Sequence, residues 1–431
     1  MSTSAKVATG TIGPTVSNTV DLTVSGFGTA TAAVIFLSRA ATADNPSTNA
    51  GFSTGFWTAS TQSAVAVQMD SGLSASTETA RAITTGRAAQ LLSAASGTSD
   101  DSSFYELTAS SITDGIRLTV SSSSASLTYY VYAILFKGTT NVYVGSQSLG
   151  TGTSAIDITA PGFKPDLVLF HTNGDASAPR INNNAIYSIG VAHNNSSDTV
   201  SQGMAGFWSE DNQSDTDSGS YIRSGYVAGQ VFNGTASWLA SVGSFDASGF
   251  SITPSASANN DPVYFLALEL ADPDDAYVGI VDSKTSTGTQ AYTGAGFTPE
   301  VLGLIQTACT AEATITTQGS IAFGTTDGTR TRVFSVRDAN GAATTDCGSE
   351  SKDQPLYIRL DNGTVDAEAS LSSFDADGWT LNYSDGSASA RKMLAFAIGD
   401  STAGGGAPTL SDLQAVSITS TTVQGTYDYA F

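Results

Sequence analysis

Apolar residues in this chain fall into short runs bounded by turn residues, and the clearest run organises the rest. Gly162-Phe163-Lys164-Pro165-Asp166 punctuates the backbone, and Leu167-Val168-Leu169-Phe170 follows. Such a run is too short for a core helix and predicts a buried β-strand. The pattern recurs at Gly296-Phe297-Thr298-Pro299-Glu300, leading into Val301 to Ile305. A looser copy starts at Gly26-Phe27 and runs into Ala33-Val34-Ile35-Phe36-Leu37. A second pattern follows each copy. Phe245-Asp246-Ala247-Ser248-Gly249-Phe250 matches Phe374-Asp375-Ala376-Asp377-Gly378-Trp379, with a weaker form at Ile112-Thr113-Asp114-Gly115-Ile116. An Asp–Gly turn between alternating segments predicts a hairpin. Arg81, Arg223 and Arg359 fall between the two patterns, the last two inside Tyr-Ile-Arg.

The spacing predicts one fold repeated three times, each copy a whole domain rather than a solenoid unit. The repeats run from Ala8 to Gly138, Thr139 to Ala271 and Ala276 to Asp400, and are expected to stack along the chain. Met1 to Val7 reads as an N-terminal arm, and Asp272-Pro273-Asp274-Asp275 as a linker. Residues 401–431 read as a Gly-rich linker and a C-terminal β arm, too few strands to stand alone. The segment around Arg87 to Leu92 could be drawn as a helix, but a strand or short turn suits it better. The expected class is all-β: three tandem antiparallel β-sandwiches of jelly-roll type.

Composition sharpens this picture. Only 13% of the 431 residues are charged, and the net charge of −22 comes from 39 acidic against 17 basic residues. Scarce Lys and Arg argue against nucleic acid, whose binding rests on displaced phosphate counterions. Anionic membranes are disfavoured equally. No leader pattern is visible at the start, and no apolar run is long enough to span a bilayer. A surface rich in Ser and Thr without a visible export signal suits a particle assembled in the cytoplasm and released by lysis.

Candidate chemistry is sparse. His171 and His193 are the only histidines and read as surface or strand-end residues, with no nucleophile elbow in the chain. The loop holding Glu210, Asp211, Asp215 and Asp217 has oxygen donors dense enough for calcium, but lacks the glycine and closing glutamate of an EF-hand; a solvated loop is the plainer reading. The Asp246, Asp375 and Asp377 turns are explained by side-chain-to-backbone bonds. Trp57, Trp208 and Tyr221, with Phe56, Phe207 and Tyr226, read first as sandwich core and second as a sugar-stacking platform. Cys309 and Cys347 both fall in expected loops of the third repeat, a disulfide candidate that a reducing cytosol opposes.

The Gly-Phe-x-Pro-Asp/Glu strand closing with Ser-Phe-Asp-x-x-Gly-Phe/Trp resembles domains of tailed-bacteriophage virion structural proteins. The second and third repeats carry it from Gly162 to Leu270 and from Gly296 to Ile398; the first lacks the proline and the Phe-Asp. Pro408-Thr409-Leu410-Ser411 onward resembles the closing strands of such proteins. The resemblance transfers no catalytic residue and no cofactor. It implies a non-enzymatic component of the outer virion surface, as capsid decoration, vertex, fibre or tail-associated protein. Its partners would be copies of itself in a trimer or pentamer, and capsid or tail proteins. The alternatives are a protein of the same particle that binds a host-surface glycan, and a depolymerase, which would need a carboxylate pair in a groove.

Overall fold

The computed structural model describes residues 3–40, 47, 49–74, 76–93, 102–176 and 181–399. The expected linker and C-terminal β arm over 401–431 lies outside the described residues. Described secondary structure is almost wholly antiparallel β. No helix among the described residues is long and apolar enough to cross a membrane.

The first repeat holds β1 (Ser4–Ile12), β2 (Thr19–Thr23), β3 (Ala32–Ser38), β4 (Ala50–Thr58), β5 (Gln62–Met69), β6 (Thr79–Thr85), β7 (Ala89–Ser93), β8 (Ser102–Ile112), β9 (Gly115–Ser123) and β10 (Tyr129–Lys137). One sheet runs β1-β10-β3-β4-β5-β6, and a second runs β2-β9-β8-β7. The second repeat holds β11 (Asn141–Ser148), β12 (Ile156–Ile158), β13 (Leu167–Thr172), a short extra β14 (Ile181–Asn183), β15 (Ala185–Asn194), β16 (Val200–Ser209), β17 (Ser218–Ser224), β18 (Ala228–Phe232), β19 (Thr235–Asp246), β20 (Gly249–Pro254) and β21 (Pro262–Glu269). A 3-10 turn at Pro273–Asp275 leads into the third repeat. That repeat holds β22 (Ala276–Asp282), β23 (Gly288–Thr293), β24 (Pro299–Thr307), β25 (Gly319–Thr326), β26 (Thr331–Asp338), β27 (Cys347–Lys352), β28 (Leu356–Arg359), β29 (Val365–Asp375), β30 (Gly378–Asp385) and β31 (Lys392–Gly399). The larger sheets are β11-β21-β13-β15-β16-β17 and β22-β31-β24-β25-β26-β27; the smaller are β12-β20-β19-β18 and β23-β30-β29-β28. Strand order is therefore the same in all three. The first two strands wrap onto the last two, as in a jelly roll, and the strands between them run as meanders.

The arrangement of the repeats differs from the expected stack. Each sandwich has its own core between its two sheets. A further cluster joins the larger sheets of all three repeats, with Phe36 and Phe52 from the first, Leu169 and Tyr187 from the second, and Phe323 and Phe334 from the third. The sandwiches thus stand side by side around a shared core, larger sheets inward and smaller sheets outward. This accounts for strands such as β3, β4, β13, β15 and β25, in which every residue is buried. A strand covered on both faces reads as a continuous apolar run, whereas one covered on a single face alternates. Outer strands such as β9 and β30 do alternate.

Two further expectations change and one holds. Ser4 to Val7, set aside as an arm, form the start of β1, which pairs with β10 from Ser4↔Lys137 onward. The segment around Arg87 to Leu92 carries the strand β7, in agreement with the non-helical reading. The Tyr-Ile-Arg coincidence is not an equivalence: Arg223 lies on β17 of a larger sheet and Arg359 on β28 of a smaller one. The true repeat of small residues lies elsewhere. Gly55, Gly190 and Gly324 occupy matching places on β4, β15 and β25, where a Cβ would come within 1.7, 1.9 and 1.8 Å of the carbonyl oxygens of Ala88, Val227 and Pro355. Those carbonyls end the crossing to the smaller sheet, immediately before β7, β18 and β28, so each site admits only glycine.

Candidate functional site at the repeat junctions

The loops 70–78, 210–217 and 339–346 sit at matching positions, between β5 and β6, β16 and β17, and β26 and β27. Together they form a cyclic clasp. Thr77 N donates to Gln213 O and Asn212 N donates to Thr77 O, joining the first loop to the second. Thr216 N donates to Ala342 O and Gly341 N to Thr216 O, joining the second to the third. Thr345 N donates to Leu73 O and Gly72 N to Thr345 O, closing the ring. Two residues later the side chains repeat the pattern. Thr79 Oγ1 donates to Ser209 O, Ser218 Oγ to Asp338 O, and the Cys347 thiol to Met69 O. Each accepting residue ends the matching strand of the next repeat.

A second cyclic set covers sheet edges. Asn182 on β14 pairs with Arg81 on β6, Thr316 with Ser220 on β17, and Ser47 with Ser349 on β27. Edge strands left open invite unwanted pairing, and here β6, β17 and β27 are each met by a segment of a neighbouring repeat. Arg81, half-buried at this seam, donates from Nη1 to Asn183 O at 2.8 Å. Burial lowers its affinity for its proton, opposed by Asp175 and Asp261.

The residues singled out in the sequence take up places around this frame. Trp57, Trp208 and Tyr221 are 1%, 1% and 2% exposed, so the sugar-platform reading is corrected. Trp57 belongs to the core of the first sandwich, and Trp208 packs with Tyr221 against Met204 and Leu239. No ring face is left for a sugar. The calcium reading fails on geometry as well. Asp211 is buried and accepts from Thr79 N at 2.8 Å, Asp217 O accepts from Glu210 N, and Asp215 is exposed. Among the described residues no group of acids, histidines or cysteines converges on an ion position.

Cys309 and Cys347 are not joined. Cys309 follows β24 and Cys347 opens β27, with β25 and β26 between them. Three strand spacings place them roughly 14 Å apart, about twice the reach of a disulfide. Cys347 instead stands where the other repeats carry hydroxyls.

His171 is on the last turn of β13 but not on the surface: it is wholly buried in the shared core. Its ring stacks on Phe56 with centroids 4.1 Å apart, and Nδ1 lies 3.0 Å from Thr54 Oγ1, which also meets Tyr187 Oη at 2.8 Å. Burial pushes the imidazole down to about 3, so it is neutral. Among the described residues no carboxylate bonds to it, and its side chain is wholly buried. His193 Nε2 donates to Pro273 O at 2.7 Å, and burial lowers its basicity too. Among the described residues no serine hydroxyl bonds to it.

His193 marks a sizeable opening lined by a junction. A cleft of about 480 Å³ lies between the second and third repeats, bounded by His193, Asn195, Ser201, Asp274, Tyr277 and the 294–296 turn. Asp274 accepts from Ser196 N at 3.1 Å and Ser196 Oγ at 2.7 Å, and these bonds hold its carboxyl below the usual range. Sequence inspection missed both the clasp and the cleft. Thr-Glu-Thr, Thr-Asp-Ser and Thr-Asp-Cys at 77–79, 216–218 and 345–347 are the one written trace of the clasp. No family model, curated protein or solved structure matches this chain.

Proposed function

We propose that this chain is a non-enzymatic structural component of the outer surface of a bacteriophage particle, in a capsid-decoration, vertex, fibre or tail-associated position. The observation supporting this reading is the closed ring of three sandwiches, locked by matched bonds at every junction. Such a body is rigid, and its function comes from where it is placed. The histidines support the same reading, one sealed in the core and the other bonded to a backbone carbonyl. The ring also bears on assembly, because the three-fold order expected between copies already exists between repeats of one chain. A single copy could therefore meet a three-fold position, and the segment 401–431 would tether it to capsid or tail proteins by strand addition.

Deletion of Pro408 to Phe431 from the phage genome tests this reading. The expected result is a truncated protein with an unchanged melting midpoint that is missing from purified particles. Normal copy number of the truncated protein on particles would overturn the tethering role, and absence of the full-length chain from particles would overturn the virion reading. A second reading, attachment to a host-surface glycan, is favoured by the cleft between the second and third repeats.

A further inference from the structure

The three junctions are built alike, so a difference between two of them isolates what one does alone. Ala5 and Val7 on β1 match Ala276 and Val278 on β22, since Ala5↔Phe136 and Val7↔Ile134 correspond to Ala276↔Ile398 and Val278↔Phe396. At the third-to-first junction the outward N–H groups of β1 are met by carboxylates. Glu300 Oε2 accepts from Ala5 N at 3.3 Å and Asp327 Oδ2 from Val7 N at 3.2 Å, with Lys6 Nζ 3.9 Å from Glu300.

At the second-to-third junction every one of those partners is changed. Ser283 N donates to Arg391 O, which fixes the alternation of the ladder. Tyr277 and Gly279 therefore face β31, and Ala276 and Val278 turn their N–H groups outward, toward the cleft they line. Asp166, matching Glu300, accepts from Leu270 N instead. His193, matching Asp327, donates from Nε2 to Pro273 O, and Asn195 beyond it uses Oδ1 to close its own turn onto Ser197 N and Thr199 N. Tyr277 stands in place of Lys6. The cleft thus offers outward backbone donors, the acceptor Asp274, small polar side chains and part of a phenol ring, without a cation to hold an anion.

We propose that this cleft is a binding site for a neutral saccharide of one or two rings. Sugar hydroxyls accept from backbone N–H groups and donate to a carboxylate, and the accessible part of the Tyr277 ring offers apolar contact to the C–H groups of a sugar. The volume falls within the ordinary range of small-ligand pockets. The proposal concerns the isolated chain and stands independently of any place on a particle.

The test uses the full-length protein and saturation-transfer NMR with maltose, cellobiose, lactose and di-N-acetylchitobiose, plus glucuronate as an anionic counterpart. At least one neutral disaccharide is expected to give a saturable signal, and glucuronate none. Ser201→Trp fills the cleft from a half-buried position and should abolish the signal without moving the melting midpoint. Ser201→Gln, a smaller filler, should weaken affinity roughly tenfold and serves if the tryptophan variant does not fold. No signal from any neutral probe, equal binding of glucuronate, or binding that survives the filled cleft would overturn the assignment.

Discussion

The larger and smaller sheets of each repeat are made from similar residues but do different work. The larger sheets are covered on both faces, by their own sandwich core and by the core shared among the repeats. The smaller sheets are covered on one face and carry hydroxyl-bearing residues on the other, as in the row Thr19, Thr119 and Thr108. One sequence rule, apolar residue inward, therefore gives two patterns depending on how many faces count as inward. The comparison places the three-way coupling between repeats in the larger sheets and the clasp at their ends, with smaller contributions where Leu92 meets Ile181 and Val231 and Leu239 meet Ile315.

The largest effect is expected at the centre. Phe323 lies 6.0 Å from Phe36, 5.1 Å from Phe52, 5.7 Å from Tyr187 and 4.8 Å from Phe334, ring to ring, so it touches all three repeats. Phe323→Ala should cost about 3–5 kcal/mol by removing buried surface and leaving a cavity. Denaturant unfolding monitored separately by fluorescence and circular dichroism checks it. The repeats are expected to unfold together in the parent protein; three separable transitions would break the idea of a shared core.

Next comes a charge inside the clasp. Asp338 is fully buried, accepts from Ser209 Oγ at 2.5 Å, and has Arg337, Asp346 and Asp361 nearby. Burial pushes its carboxyl up to about 7 from an ordinary 3.8. The fold therefore prefers the protonated form, and ionisation works against it. Stability from this group is full below about pH 4 and is lost as pH rises through 7. The gap corresponds to roughly 4 kcal/mol at most. Asp166, raised to about 6 by burial, pushes in the same direction. Asp338→Asn should flatten the profile and be more stable than the parent at pH 8. A parent protein equally stable at pH 5 and pH 8 would contradict this.

Much of the comparison was legible in the chain, and the part that was not has a physical reason. Leu167 to Phe170 and Val301 to Ile305 announce strands, and the Asp–Gly turns announce hairpins, because both depend on neighbours in sequence. An unbroken apolar run in an antiparallel sheet also implies a second covering layer, so the shared core had a trace at β3 and β13 that was not followed. The clasp left less. Its three Thr-acid-hydroxyl triplets are lost in a chain rich in Ser and Thr, and the third ends in Cys347. Trp57 and His171 could not be placed by pattern alone, since burial on either face of a strand depends on partners far away in sequence.

The clasp itself predicts a middle-sized effect. Thr77 Oγ1 donates to Glu210 O at 2.7 Å and accepts from Gln213 N at 3.0 Å, in a site that is 1% exposed. Thr77→Val keeps the shape and strands both partners, at a cost of about 1–3 kcal/mol. Cys347→Ser makes the opposite point, because Ser218 already does the same task in the second repeat; it should leave stability within about 1 kcal/mol of the parent. Thermal unfolding of both variants beside the parent decides. A loss for Cys347→Ser as large as that for Thr77→Val would mean the three positions are not interchangeable.

The smallest effect belongs to an outer sheet. Arg117 on β9 grips Asp21 on β2 with two bonds, Nε to Oδ1 at 2.6 Å and Nη2 to Oδ2 at 2.8 Å. In isolation this is good geometry, and the hydrogen bonds to Arg117 hold the Asp21 carboxyl below its usual range. Yet the side chains are 46% and 41% exposed, so water and salt already solvate both charges. Neither residue touches another repeat or the shared core. Asp21→Asn keeps the size, and the Leu22 side chain beside it stays packed against the first sandwich core. Its melting midpoint should match the parent within replicate scatter at physiological salt. A drop approaching that of Thr77→Val would show that the outer sheets stabilise the ring as much as the inner ones, and the contrast between the two layers would fail.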